Sequence, residues 1–474
     1  MSGAPLWTAR EIAAAVAGEP SADFAANGVA FDSREVGPGD LFVALKGESA
    51  DGHAYLDKAF AAGAAGAIVA QPTDHPHVRV ADTAAALDAL GRRARGRTAA
   101  RIVGVTGSAG KTGTKEALYA AFARMSFGPG GAGRAHRSVK SYNNHVGVPL
   151  SLARMPADSE WGVFEMGMNH AGELAALTRL VRPHCAIVTT IAPAHAEYFA
   201  DESAIADAKG EIFEGLVEGG VALVPADSPH RARLTDKAKA CGARVLSFGF
   251  AADADIRGLE AIPTACGSQV TARLIGGELL YTLSQPGRHW IANSLAVLGA
   301  VEALGGDVAL AGLALADLEG MAGRGARHRI AHPGGDILII DESYNANPAS
   351  MAATIAELGR EPAPRAVLLG GMRELGAKGE AYHAGLAPHL ADAGVTLAVL
   401  VGAEMDALAS ACRAGLAGGV EVVQCADADA AATLLAGRLS GGEALLIKGS
   451  NFYGLDRAVR ALTERLPAPV PEES

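Results

Sequence analysis

The sequence predicts an α/β protein in three domains: a small mixed α/β domain first, a central domain on a parallel sheet, and a second α/β domain last. Three observations predict this. The chain has 474 residues, too many for one ordinary core at roughly 150 residues per domain. From Ile102 onward, short β-rich apolar runs alternate with helix-length segments, the rhythm of parallel strands joined by crossover helices. At one strand-to-helix junction, GVTGSAGKTGTKEAL (residues 104–118) has the glycines and the lysine of a phosphate cradle.

The elements follow in order. Residues 1–98 form the small mixed domain, in which FDSREVGPGDLFVAL (31–45) is a turn between apolar strands and GAAGAIVA (63–70) a buried strand. Pro38 and Gly39 supply the turn chemistry. The segment ALGRRARGRTAAR (89–101), charged and broken by glycine, marks the first boundary. Within residues 99–325, RIVGV, WGVFEM and CAIVTTI are strands, KTGTKEALYAAFARM is a helix, and FGPGGAGRAHR (127–137) is a mobile surface loop. The second boundary falls near GMAGRGARHRI (320–330). Beyond it DILIIDE, RAVLLGG, TLAVLVG and EALLIKG repeat the strand rhythm, so residues 326–474 are a Rossmann-like α/β domain with a frayed LPAPVPEES tail.

Composition narrows the function. With 49% hydrophobic and 20% charged residues the chain has ample apolar surface to bury, and disorder is not its default. The net charge of -11 argues against a general nucleic-acid binder, which needs a basic face, yet leaves small anionic ligands open. Cys185, Cys241, Cys266, Cys412 and Cys425 are scattered singly, with no C-x-x-C pair, which fits a reducing cytoplasm. The first residues lack the basic start of a secretory signal, and no apolar run is long enough for a bilayer. A cytoplasmic monomer without membrane insertion is expected.

RIVGV before the glycines and KEALYAAFARM after them give the phosphate motif the strand-turn-helix context it needs, so the central domain is P-loop ATPase-like. Backbone N–H groups of Thr106, Gly107, Ser108, Ala109 and Gly110, the positive helix end and the Lys111 ammonium converge on phosphate oxygens. The Thr112 hydroxyl is placed to ligate Mg²⁺. The motif departs from the common G-x-x-x-x-G-K-[ST] pattern in having Val105 at the first glycine.

Glu165 ends the strand WGVFEM, and His195 follows the strand CAIVTTI, so both fall at the carboxyl edge of a parallel sheet, where ligands bind. Together they can hold a second divalent cation; singly, each reads equally as a hydrogen-bonded surface residue. In DESAIADAKGEIFEGL, Ile205, Ile212, Phe213 and Leu216 form one helical stripe, and Lys209 falls within it. Desolvation lowers the pKa of such an amine, which can then add CO₂ to become an anionic carbamate able to help bind Mg²⁺. The alternative is snorkelling, with the head in water.

Taken together, TGSAGKT (106–112), Glu165 in FEMG, His195 in APAH and Lys209 in AKGEIF resemble the Mur ligase family, the ATP-dependent amide-forming enzymes of peptidoglycan precursor synthesis. The resemblance covers nearly the whole chain. It implies that Glu165 and His195 are metal-site residues, that Lys209 is carbamylated, and that Lys111, Lys209 and His195 serve catalysis. It also implies that Asn293 in GRHWIANSLAV, Arg324 in AGRG and Asp341 in DESYNANP reach the nucleotide. KGSNFYGLD (448–456) starts like the family's KGS loop and then departs from its usual K-G-S-R-x-x-x-[ML]-E, so only Lys448 and Ser450 carry over.

Within the family, DSREVGPGDLFVALKGESADGH, SYNNHVGVPLSL, EMGMNHAGEL and DESYNANPASM are most similar to the member that adds a dipeptide. The implied substrates are UDP-N-acetylmuramoyl-tripeptide and D-alanyl-D-alanine, with ATP and two Mg²⁺ ions. Ser33 is then a candidate for the UDP moiety, Asn143 and Asn144 for the sugar-phosphate end, and Asn345 and Asn347 for the peptide or dipeptide. The implied chemistry is attack of the tripeptide carboxylate on the ATP γ-phosphate, then attack of the dipeptide amine on the acyl phosphate. Because the implied ATP contacts come from two domains, the C-terminal domain is expected to swing closed. Other amide ligases of the superfamily, such as folylpolyglutamate synthase, a phosphate-loop kinase, and a nucleotide-gated binding module without chemistry are the competing readings.

Overall fold

The computed structural model describes residues 4–47, 50–126, 134–193, 197–264 and 267–465. In the N-terminal domain five strands lie side by side in the order Glu19–Pro20, His77–Arg79, Gly66–Val69, Asp40–Val43 and Gly28–Ala30. The first pair is antiparallel and the others are parallel. The turn expected around Pro38 does link two of these strands, and the Asp40 carboxylate accepts the Gly37 N–H at 2.8 Å to close it.

The segment read as the first boundary is helical as far as Arg97. Residues 83–97 form one helix, Thr83–Arg97, started by Asp82, whose Oδ1 accepts the N–H groups of Ala84 and Ala85. Leu87, Leu90 and Ala94 bury one stripe of it. Arg95 anchors it: Nε donates to Val181 O at 2.7 Å and Nη2 to Arg182 O at 2.9 Å, satisfying carbonyls at a helix end in the central domain. A charged, glycine-containing stretch hides such a helix because two of its arginines, Arg95 and Arg97, spend their charges on backbone carbonyls rather than on water.

The central sheet has nine strands, and its phosphate-loop strand Arg101–Thr106 lies between Trp161–Glu165 and Cys185–Val188, parallel to both. Successive residues face opposite sides: Ile102 joins Phe164, Ile205 and Phe213 in one core, while Val103 joins Leu118, Phe122 and Leu295 in the other. The parallel part of the sheet was expected; an antiparallel meander, Ile256–Thr264, Gly267–Leu274 and Gly277–Leu283, extends one edge. At the other edge Ala135–Arg137 is a strand paired with Trp161–Glu165, where the sequence predicts loop; residues 127–133 lie outside the described residues.

The C-terminal sheet runs Ala326–Ile330, Ile337–Glu342, Ala444–Lys448, Arg365–Gly370, Val395–Val401 and Glu421–Cys425. Only the first strand is antiparallel, as an edge strand added to a doubly wound sheet. All four strands predicted beyond residue 330 are present. The predicted tail, residues 466–474, lies outside the described residues.

Candidate active site

Three strand ends meet at the site. Glu165 is level with Val105, and Val188 with Thr106, so the phosphate loop, the carboxylate and residues 189–191 emerge together at the carboxyl edge. The order of strands reverses across Arg101–Thr106, making this the crevice in which open α/β sheets bind ligands. Gly110 has φ 81° and caps the helix Lys111–Met125 without any side-chain cap, leaving its first N–H groups turned toward the crevice. At Gly107 a Cβ would lie 1.9 Å from Thr189 Oγ1, so the backbone here approaches too closely for any side chain.

Inside the crevice, Thr112 Oγ1 donates to Glu165 Oε2 at 2.8 Å, and Asn143 Nδ2 donates to Glu165 Oε1 at 2.8 Å. Glu165 is 1% exposed, and its own N–H donates to Ser138 Oγ at 3.1 Å. Lys111 Nζ folds back on Gly107 O at 2.7 Å; burial and the Arg324 charge lower its pKa, while Glu165 works against them. Thr106 Oγ1 is buried without a partner among the described residues, and Ser108 Oγ fixes the loop by donating to Ala192 O at 2.9 Å.

Lys209 is also 1% exposed, which excludes snorkelling. Burial, with the nearby Lys111 charge, holds its pKa well below the ordinary lysine value. It lies in the last turn of the helix Glu202–Gly210, after which a 3₁₀ turn, Glu211–Gly215, continues the apolar stripe predicted as one helix. His195 lies outside the described residues.

A cavity of about 650 Å³ joins these groups to the C-terminal domain. Lys111, Glu165, Lys209, Asn143, Asn293 and Arg324 line it from the central side and the linker; Asn345, Asn347 and Lys448 line it from the other. The two sides touch: Asn347 Nδ2 donates to Ser108 O at 3.2 Å, while its Oδ1 caps the helix Pro348–Leu358 by accepting the Ser350 N–H. Arg324 donates to Ser141 Oγ at 2.9 Å and stacks 4.0 Å over the Tyr344 ring. Lys448 Nζ donates to Asn345 O at 3.0 Å and pairs with Glu342 at 3.2 Å.

Other predicted site residues are engaged elsewhere. Asp341 is buried beside the cavity, its carboxylate accepting the Gly323 N–H at 2.7 Å and the Ser343 hydroxyl at 2.6 Å. Asn144 Oδ1 accepts the Val146 and Gly147 N–H groups at the start of the helix Gly147–Ala153. Ser33 is buried in its turn, away from this cavity. Sequence reasoning missed Ser141, Glu342 and, above all, Lys115, which is fully buried. Lys115 sits one turn after Thr112 on the inner face of its helix, beside Ala117 and Leu118, and the argument that singled out Lys209 would have found it.

A phosphate loop with an uncapped helix, a buried carboxylate bonded to the loop threonine, and an unusually basic-poor lysine amine, faced by a second α/β domain, define a nucleotide-dependent ligase site. The chain matches the model of the Mur ligase middle domain over residues 105–301, that of the Mur ligase glutamate ligase domain over 326–451, and that of the Mur ligase family catalytic domain over 26–116. The chain belongs to the Mur ligase family and is an ATP-dependent amide ligase of peptidoglycan precursor synthesis.

Among its relatives, it is 34% identical over 448 residues to the UDP-N-acetylmuramoyl-tripeptide--D-alanyl-D-alanine ligase of Escherichia coli (strain K12), covering 94% of this chain and 95% of that one. It is 31% identical over 406 residues to the protein of the same name from Rickettsia prowazekii, covering 84% and 87%. A crystal structure of MurF from Acinetobacter baumannii superposes with a TM-score of 0.82 at 29% identity, covering 97% of this chain and 99% of that one. MurF ligase from Thermotoga maritima in complex with ADP gives 0.76 at 25%, covering 93% and 97%. Among the described residues no helix is long and apolar enough to cross a membrane.

Proposed function

We propose that this chain joins D-alanyl-D-alanine to the terminal carboxylate of UDP-N-acetylmuramoyl-tripeptide, with ATP converted to ADP and phosphate, in the cytoplasm. The observation that carries this reading is the cavity in which the phosphate loop, Glu165 and Lys209 face Asn345, Asn347 and Lys448 of the C-terminal domain. A site for ATP alone needs no second domain; a ligase must bring a carboxylate to the γ-phosphate and an amine to the acyl phosphate that results. Domains at residues 1–98, 99–325 and 326–474 would hold the UDP moiety, ATP and the dipeptide side respectively.

The first step is attack of the tripeptide carboxylate on the γ-phosphate, with ADP leaving and an acyl phosphate formed. In the second the dipeptide amine attacks the acyl carbon, the amide forms and phosphate leaves. Both reactants of the first step are anions, so the site must mask their repulsion. Lys111 supplies a fixed cation, and the loop N–H groups supply dipoles that need no reorganisation. Positioning supplies the rest, by setting the carboxylate in line with the γ-phosphate and the amine beside the acyl carbon in a cleft that excludes water.

Two Mg²⁺ ions fit the donor set. Thr112 and Glu165 offer an alcohol and a carboxylate oxygen 2.8 Å apart, the hard oxygen ligands that Mg²⁺ prefers. Lys209 as an ammonium is no metal ligand, but its buried, proton-poor amine suits conversion to a carbamate, which supplies a further anionic oxygen. His195 completes the proposed set. Bound Mg²⁺ would neutralise phosphate charge and orient the γ-phosphate.

The test is phosphate release with UDP-muramoyl tripeptides and a panel of dipeptides. Release is expected to require both, with D-alanyl-D-alanine preferred. Turnover that proceeds at the same rate without any amine would refute the reading.

A further inference from the structure

Residues 138–143 make side-chain contacts in three directions, and two side chains outside the segment hold it. Toward the centre, Asn143 Nδ2 donates to Glu165 Oε1 at 2.8 Å, and Ser138 Oγ accepts the Glu165 N–H at 3.1 Å. Toward the C-terminal domain, Ser141 Oγ accepts from Arg324 at 2.9 Å. Toward the N-terminal domain, the Lys140 ammonium and the Tyr142 hydroxyl both reach Glu35 Oε1, the latter at 2.7 Å. Glu35 lies two residues after Ser33, in the turn assigned to the UDP moiety.

Beneath the segment lies Lys115, fully buried, an expensive place for an ammonium unless its bonds are all made. Its Nζ donates to Lys140 O at 2.7 Å, pairs with Glu116 at 3.0 Å and stands 4.0 Å from Glu165 Oε2. Glu116 in turn pairs with Arg137 at 2.8 Å, just before the segment begins. Lys140 itself has φ 53°, a left-handed conformation that a lysine keeps only where its surroundings over-determine it. The buried ammonium on its carbonyl and Glu35 on its side chain are that over-determination.

We propose that Lys115 and Glu35 are positioning residues: together they fix the 138–143 segment, which sets Asn143 on Glu165 and Ser141 on Arg324, and so ties UDP-substrate binding to assembly of the ATP site. Neither residue touches a reacting atom. The six residues carry contacts in three directions, so a shift at Glu35 displaces Ser141 and Asn143 with it. This rests on the function proposed above.

The test measures coupling in the full chain with Mg²⁺ and a non-hydrolysable ATP analogue. Calorimetric titration gives the Kd of the analogue with and without saturating UDP-N-acetylmuramoyl-tripeptide. In the parent protein the two values are expected to differ at least fivefold, within the usual range of coupling between sites. Glu35→Ala, a change to a side chain outside any core, should reduce that factor below two while leaving the analogue's affinity in the absence of the UDP compound within threefold. Lys115→Met should do the same and lower kcat at least tenfold with the KM for D-alanyl-D-alanine unchanged. A parent protein with no coupling, or a Glu35→Ala variant with coupling intact, overturns the proposal even if Lys115→Met fails to fold. Failure of the parent to bind the UDP compound at all would instead overturn the functional reading beneath it.

Discussion

Replacing Glu165 by Gln separates what this carboxylate does for folding from what it does for the reaction. The amide keeps the size of the side chain and an oxygen for the Thr112 hydroxyl, and removes the charge. In the folded state the side chain loses its ion pair with Lys115, 4.0 Å away. At an effective dielectric of about 20 its gross value is about 4 kcal/mol. Against that, a carboxylate that is 1% exposed no longer has to be stripped of water, a relief of several kcal/mol, and Lys115 keeps Glu116 at 3.0 Å and the Lys140 carbonyl. The two terms nearly cancel, so the expected change in stability is about 1 kcal/mol, or about 2–4 °C in the melting of a domain of this size. The reaction has no such compensation. Loss of one preorganised charge at a transferring phosphate costs about 10²–10³ in kcat, or about 2.7–4 kcal/mol. Lys111 also loses the charge that opposes its desolvation, so its pKa falls further and ATP binding should weaken at a lower pH than in the parent. Phosphate release against pH, with a thermal melt of the same preparation, measures all of this. A Glu165→Gln variant that turns over within threefold of the parent would refute the assignment, and one that is unfolded would refute the cancellation.

Lys209→Ala should abolish turnover, with activity restored by a short carboxylic acid but not by bicarbonate alone; in ¹³CO₂-equilibrated protein, a carbamate carbon resonance present in the parent should be missing from the variant. In CO₂-free buffer, Lys209 also predicts a pH dependence of stability. Its folded pKa lies well below 10.5, so between the two values the unfolded chain binds a proton that the folded chain does not, and stability rises with pH. Urea titrations of Lys209→Met at neutral and alkaline pH should show a shallower rise; an unchanged slope would count against a buried, depressed amine. Asn347→Ala removes a helix cap and the contact with Ser108, and should cost about 1 kcal/mol of stability. It should also lower kcat/KM for ATP about fivefold, the equivalent of one lost neutral hydrogen bond, read from initial rates at varied ATP.

Much of this molecule is legible in its sequence because its signals are local. The phosphate loop is contiguous, its glycines serve a backbone geometry, and the strand before it is a continuous apolar run. The four C-terminal strands are equally plain for the same reason. Lys209 was legible because a charge on an apolar stripe conflicts with the pattern around it. What was not legible depends on partners distant in the chain. Arg95 is charged, yet it serves carbonyls 86 and 87 residues away, so the sequence marks a boundary here without showing the helix. Asp341 lies in a motif that points to nucleotide, and its hold on Gly323, 18 residues back, is a further role that the motif does not show. The antiparallel meander from 256 to 283 goes unread because apolar side chains at exposed positions, Leu259, Ile262, Ile275 and Leu280, blur the alternation that a half-solvated sheet otherwise shows.

Asp341 has one more consequence. Gly323 donates to its side chain and Gly325 to its main-chain oxygen at 2.8 Å, so both neighbours of Arg324 are pinned to the first parallel strand of the C-terminal sheet. Arg324 therefore belongs mechanically to the C-terminal body, although it precedes that body's first strand. Any rotation that parts Asn347 from Ser108 also pulls Arg324 off Ser141. The axis of such a rotation must fall upstream of Gly323, and a single movement then withdraws a cation from one end of the cleft while it unlatches the other.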